Sequence, residues 1–202
     1  MGVLASIVDR TISGSFSSDM FLNIRGGAFH SCKNLTSVSF PKATSIGSNA
    51  FRDCSSLTEV FIPNAISIGD YAFYYCRKLT SVSIPNATSI GKGVFYYCSS
   101  LTEVSFPVAT SISEYAFYTC SKFTEVSFPK ATSIGRSAFQ SCSNLTTIYV
   151  GTDTSTVCTL SDTSAFSNCS NLANIYVPAS LVDSYKSATN WSNYADKIKA
   201  TP

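Results

Sequence analysis

Six phenylalanines, Phe29, Phe51, Phe73, Phe95, Phe117 and Phe139, lie 22 residues apart, and Phe166 follows after 27. Each has a Cys three places later: Cys32, Cys54, Cys76, Cys98, Cys120, Cys142 and Cys169. Six places after the Phe comes Leu35, Leu57, Leu79, Leu101, Phe123, Leu145 and Leu172. Val or Ile stands nine places after it, from Val38 to Ile175, and Phe, Ile or Val two further on. Pro41, Pro63, Pro85, Pro107, Pro129 and Pro178 close the runs, with Gly151 as the exception. Columns of apolar residues in strict phase are the mark of a repeat array.

The stretch Leu35 to Phe40 alternates Val38 and Phe40 with Ser37 and Ser39, the period of a strand. Pro41 cannot donate a ladder hydrogen bond, so it ends the strand. Ala43 and Ile46 turn inward next, Gly47 permits a tight turn, and Ala50 to Cys54 fits one short helical turn. A unit this small cannot bury its own apolar side, so neighbours stack into a solenoid with one continuous core. Successive strands then pair in parallel at about 4.8 Å.

Ends need capping, because a solenoid otherwise exposes its core. Leu181, Val182, Tyr185 and Ala188 predict a C-terminal helix with Ser180 as N-cap. Trp191, Tyr194, Ala195 and Ile198 predict a second, with Asn190 as its cap. Val3, Leu4, Ile7 and Val8 predict an N-terminal helix, followed by a strand near Ile12 to Phe16. The expected organisation is an N-terminal cap over 1–23, repeats over 24–178 and a C-terminal helical cap over 179–202. The insertion between Val150 and Ala165, with Thr152, Thr154 and Thr156, is expected to protrude.

Only 13% of the 202 residues are charged, against a usual share of about 25%. Hydroxyls replace the missing charge, with 36 Ser and 20 Thr. With 14 Phe and 11 Tyr the chain is too apolar for disorder. A net charge of +2 argues against nucleic acid as partner. No apolar run is long enough to insert in a membrane. Met1 to Arg10 does not read as a signal peptide, which leaves a virion-associated or cytoplasmic location open.

The unit Ile46-Gly47 to Ala65 resembles the BspA-like class of leucine-rich repeat. Its Ile-Gly turn, Ala-Phe pair, Cys three further on and Leu-x-x-Val-x-Phe-Pro strand carry the likeness over about residues 24 to 178. The 22-residue repeat is one residue short of that class. The resemblance implies a right-handed α/β solenoid of about seven repeats, with a parallel sheet, short helical turns and terminal caps. It also implies a non-enzymatic binding or adhesion module of a bacterial surface or secreted protein, recognising proteins or glycans. The ends resemble some repeat proteins encoded in bacterial and prophage genomes, so a structural or receptor-facing part of a phage particle is the alternative.

Seven Cys in one column suit a buried reduced ladder better than disulfides, whose geometry parallel neighbours do not offer. No pair of Cys has metal-ligand spacing, and no cofactor is expected. Cys158 lies outside the column and is the candidate for reactivity. His30 shares its column with Arg52, Tyr74, Tyr96, Tyr118, Gln140 and Ser167, and is expected on the surface.

Two surfaces are candidate binding sites. Tyr71, Tyr74, Tyr75, Tyr96, Tyr97, Tyr115 and Tyr118 cluster in the turns of three consecutive repeats, flanked by Arg77, Lys78 and Lys92. Tyrosine concentrates binding energy at low entropic cost and stacks on sugar rings. The concave strand face offers Glu59, Phe61, Glu103, Glu125, Tyr149 and Tyr176 among Ser and Thr, including Thr147, and is expected to run on unbroken across seven strands. Glu103 and Glu125 are expected about 5 Å apart, near the spacing used in retaining glycoside hydrolysis. An open sheet neither excludes water nor raises a carboxyl pKa, so no catalytic residue is assigned.

Overall fold

The computed structural model describes residues 2–3 and 10–202. All strand pairs are parallel, and the chain coils into three stacked layers. The long strands form a five-stranded sheet, from Ser13–Ser17 to Glu103–Ser105, and then a four-stranded one, from Glu125–Phe128 to Ile198–Ala200. These make nine turns. The first and last lie outside the Phe-Cys columns, which is why the sequence period counts only seven. Short strands such as Ser45–Ile46 and Ser67–Ile68 build a second sheet of eight. Registers advance one repeat at a time, with Val38 beside Val60 and Val60 beside Val82.

Between the layers lies the core. Every Phe of the 22-residue column is buried. Their rings stack face to face, with Phe51–Phe73 at 5.2 Å and Phe73–Phe95 at 5.5 Å. A second set, Phe40, Phe106 and Phe128, packs against them from the long strands. All eight cysteines are buried, with no disulfide among them. From Cys54 to Cys169 along the column the thiol donates to the carbonyl of a Phe one turn back, as from Cys76 to Phe51 at 3.1 Å and from Cys98 to Phe73 at 3.2 Å.

The third layer corrects the expected helical turn. From Phe29 to Phe139 the residues two before and two after the Phe take positive φ, for example Asn49 (57°) and Asp53 (59°) around Phe51; at Phe166 only Asn168 does, and a 3-10 turn, Thr163–Phe166, stands in the other's place. No helix tolerates that. The chain instead makes successive tight turns. Their N–H groups point along the stack: Asn49 donates to Asp70 O, Phe51 to Ala72 O and Asp53 to Tyr74 O. The inter-repeat bonds supply what a helix would have supplied internally. Gly47 is also needed for a different reason than expected. Its φ is ordinary, but a Cβ there would collide with the backbone of Arg25 and Gly26, so the glycine lets two turns approach.

Three further expectations change. The long-strand sheet is interrupted between Ser105 and Glu125, and Val104 beside the break is only half-buried while its column mates are buried. Thr147 is buried rather than outward, with Asn174 Nδ2 donating to its hydroxyl at 3.3 Å. The insertion does not project as a whole: Thr159–Leu160 rejoins the eight-stranded sheet beside Ser133–Ile134, and the Thr154 hydroxyl turns back onto Gly151 O at 2.7 Å.

At the C-terminus Val182–Ser187 is the one α-helix among the described residues. Ser180 does not cap it, lying inside the 3-10 turn Ala179–Leu181. The second expected helix is a single 3-10 turn, Trp191–Tyr194, and Ile198 belongs to a strand paired with Asn174–Val177. Asn190 takes φ 66°, and its side chain donates to Leu160 O instead of capping. Tyr185 and Trp191 are buried against the last repeat. At the other end Ser13–Ser17 is the expected strand. The expected N-terminal helix falls mostly on residues 4–9, outside the described ones, and Gly2–Val3 is a strand.

Candidate functional site

Tyr74, Tyr96 and Tyr118 follow the column Phe by one residue and stack in successive turns. Their centroids lie 5.0 and 4.6 Å apart, with interplanar angles of 13° and 6°. Tyr75 and Tyr97 form a second, parallel pair at 4.9 Å. Tyr71 meets Tyr74 edge-on at 5.7 Å, and Tyr115 meets Tyr118 the same way at 6.0 Å. The structure therefore brings together all seven tyrosines expected from the sequence, each half-buried. One expectation changes: faces within the ladder cover one another, so the rings present edges and hydroxyls outward rather than open faces for sugar stacking.

Cations close the band. The Arg52 guanidinium lies over Tyr74 at 4.5 Å, and that of Arg77 over Tyr75 at 4.7 Å. Lys92 sits 2.5 Å from Glu114 and 6.0 Å from the Tyr115 centroid. Hydrogen bonding to Glu114 pushes the Lys92 pKa up. Tyr96 is pushed up to about 12, first by burial and then by the neighbouring phenols, so its hydroxyl stays a donor at neutral pH. Between these groups runs a groove of about 460 Å³.

Its far wall, Arg136, Ser137 and Gln140, escaped the sequence reading, as did Arg52. The signal was present. Arg52 and Gln140 occupy the column of Tyr74, Tyr96 and Tyr118 at its two ends, and Arg136 the column of Asp70, Lys92 and Glu114.

The strand face is a different object. Glu59, Glu103 and Glu125 are exposed, as is Phe61, at 56%. Phe61 neighbours Ser39 and Ser83, far along the stack from the Tyr149–Tyr176 pair, whose rings lie 5.0 Å apart. Glu103 and Glu125 fall on opposite sides of the sheet break rather than on one continuous ladder. The alternative surface thus has no single centre.

The Cys158 thiol is enclosed rather than exposed. Burial pushes its pKa up to about 12, and the residue's backbone is held by the Tyr185 hydroxyl and the Trp191 indole. A thiol held protonated is a poor nucleophile. His30 is half-buried, with Nδ1 3.2 Å from the Ser31 hydroxyl. Among the described residues no three His, Cys, Asp or Glu converge as a metal site. None of their helices is long and apolar enough to cross a membrane.

The sequence profile of the BspA type leucine rich repeat region matches residues 22–146 and 88–198, in six copies. Solved structures agree. A leucine rich cell surface protein of Faecalibacterium prausnitzii superposes with TM-score 0.66 at 28% identity, over 85% of this chain and 56% of that one. The chain thus spans little more than half the length of that relative. A leucine rich repeat protein of T. pallidum gives 0.57 at 20% identity, over 93% and 86%. One from Bacteroides ovatus gives 0.52 at 18%, over 97% and 71%. The last two show the fold alone. No curated protein matches the chain. With its profile covering most of the sequence and its coil matching theirs, the chain belongs to the BspA-type leucine-rich repeat family.

Proposed function

We propose that the chain is a non-enzymatic recognition module of a bacterial surface protein, and that it binds a protein or glycan through the tyrosine band. The observation that carries this reading is the ladder Tyr74–Tyr96–Tyr118 with Arg52 at one end and Arg136 beyond the other. Aromatic and Arg side chains are where binding energy concentrates. The strand face offers short hydroxyls and scattered Glu, which anchor weakly. The surface location rests on the family and on the likeness to the Faecalibacterium cell surface protein. The virion alternative draws no support from these relatives.

The test is an array of glycans and extracellular-matrix proteins probed with the purified chain and two variants. One replaces Tyr74, Tyr96 and Tyr118 by Ser, and the other replaces Glu59, Glu103 and Glu125 by Lys. The tyrosine variant should lose the ligand. Loss confined to the charge reversal, with both variants folded, would move the site to the strand face.

A further inference from the structure

Four of the seven tyrosines stand where the backbone disfavours them. Tyr71, Tyr75, Tyr97 and Tyr115 have φ between 58° and 60°. For a bulky residue this is an outlier. The same two positions in other turns hold Gly27, Asn49, Gly93 and Ser137, or Ser31, Asp53, Ser141 and Asn168, residues that fit such a turn more readily, with Thr119 as the exception. Backbone fit therefore does not explain the tyrosines. Nor does core packing, because the Phe column beneath is already closed.

Two of them, Tyr71 and Tyr115, line the groove with Tyr74, Tyr96 and Tyr118, and this groove has three chemical features. Its floor is a row of ring edges, and neither the Tyr96 nor the Tyr118 hydroxyl has a hydrogen-bond partner among the described residues. Its wall carries the Gln140 amide, while the Ser137 hydroxyl beside it is buried, 3.0 Å from that of Ser164. Its charge is one-sided: Glu114 neutralises Lys92, whereas Arg136 makes no ion pair among the described residues and lowers the pKa of Asp162 from a distance, behind the hydrogen bonds of Ser164. We infer that this groove binds an acidic glycan, carboxylated or sulfated, laid along the stack with its hydroxyls on the Tyr96 and Tyr118 phenols and an acid group on Arg136.

Spacing favours a sugar chain over an acidic peptide. The rungs are 4.6 to 5.0 Å apart. One pyranose ring with its glycosidic oxygen advances by a similar step. An extended peptide advances about 3.3 Å per residue, and returns to the same face after about 6.6 Å, so it loses register within three rungs. The phenol and amide groups along it suit a ligand covered in hydroxyls.

This inference rests on the band being the binding site, and the experiment separates the two. Binding of the chain is measured to hyaluronan, heparin, neutral dextran and poly-L-glutamate. The expected result is tighter binding to hyaluronan or heparin than to dextran or poly-L-glutamate, weakening with added salt. Preference for one of the two identifies carboxylate or sulfate as the acid. Tyr96→Phe with Tyr118→Phe keeps the ring stack and should weaken that binding roughly tenfold, the worth of two hydrogen bonds. Arg136→Gln should weaken it and flatten its salt dependence. The inference falls if neither acidic glycan binds better than dextran, if poly-L-glutamate binds as well, or if the phenol and Arg136 variants change nothing. If the triple Ser variant of Tyr74, Tyr96 and Tyr118 still loses a protein ligand, only the glycan class is wrong. If that variant retains every ligand, the band itself is not the site.

Discussion

The thiol of Cys98 donates to the carbonyl oxygen of Phe73, 3.2 Å away and one turn back. That carbonyl also accepts the N–H of Cys76 from its own turn, at 3.1 Å. The cysteine column is therefore a hydrogen-bonded ladder that ties successive coils together, as well as a small apolar filler. Cys98→Ala should remove about 1 kcal/mol for the bond, plus a further cost for the sulfur-sized void. A urea titration reads the sum. No change in midpoint would mean that the thiol contributes packing volume that its neighbours readily replace.

The same burial makes the fold sensitive to alkali. Burial pushes Cys54 and Cys169 up to about 12, and Cys76, Cys120 and Cys142 well above the ordinary thiol value. In the unfolded chain a thiol ionises near about 8.5. Between these values the unfolded state has released protons that the folded state retains, so stability falls as pH rises. Each such thiol contributes about 1.4 kcal/mol per pH unit across that window. Urea midpoints measured at intervals above pH ~8.5 should drop steeply, and Cys98→Ala with Cys120→Ala should flatten the slope. A double variant that falls as steeply as the parent would overturn the ladder's role.

Thiol chemistry gives an independent check. In the native chain all eight cysteines are buried, with no disulfide among them. An aromatic disulfide reagent should react slowly with the folded protein, including at Cys158, and quickly with at least six thiols after denaturation. Recovery of three or more disulfides would contradict the parallel geometry.

Phe95 lies at the middle of the ring stack, 5.5 Å from Phe73 and 5.3 Å from Phe117. Phe95→Ala should cost about 3–5 kcal/mol, the range for a fully buried Phe. A loss below about 1 kcal/mol would mean that the turns on either side collapse to fill the space.

The period and the columns were legible because each buried residue recurs in register, and a parallel stack repeats its environment every turn. The turn conformation was not legible. A run such as Ala50 to Cys54 spaces its apolar residues as a helix would, and Tyr71 or Tyr115 at a positive-φ position hides the Gly and Asn that mark it elsewhere. Inter-turn hydrogen bonds decide the conformation, and those are long-range. The sheet break was hidden because Glu103-Val104-Ser105 and Glu125-Val126-Ser127 are the same tripeptide. Ile198–Ala200 is too short for its apolar–polar alternation to stand out, and it becomes a strand because Ile175 to Val177 offers it an edge. In the candidate site the tyrosines were visible as a cluster, but Arg136 stood alone in sequence and joined them only through the coil.

Two glycines separate close approach from backbone freedom. A Cβ on Gly135 would lie 2.5 Å from the backbone nitrogen of Glu114, with an ordinary φ. Backbone cannot yield as a side chain can, so Gly135→Ala should force the turns apart and cost about 1–3 kcal/mol or more, as overpacking does. Gly27 has φ 67° and open space around its Cβ position. Gly27→Ala should cost only the left-handed penalty, about 1–2 kcal/mol. Replacement by Asn tells them apart, because Asn tolerates positive φ but is larger than Ala. Gly27→Asn should recover much of the loss in a thermal melt, and Gly135→Asn should deepen it. Recovery at Gly135 would mean that its backbone, rather than the contact with Glu114, sets the need for glycine.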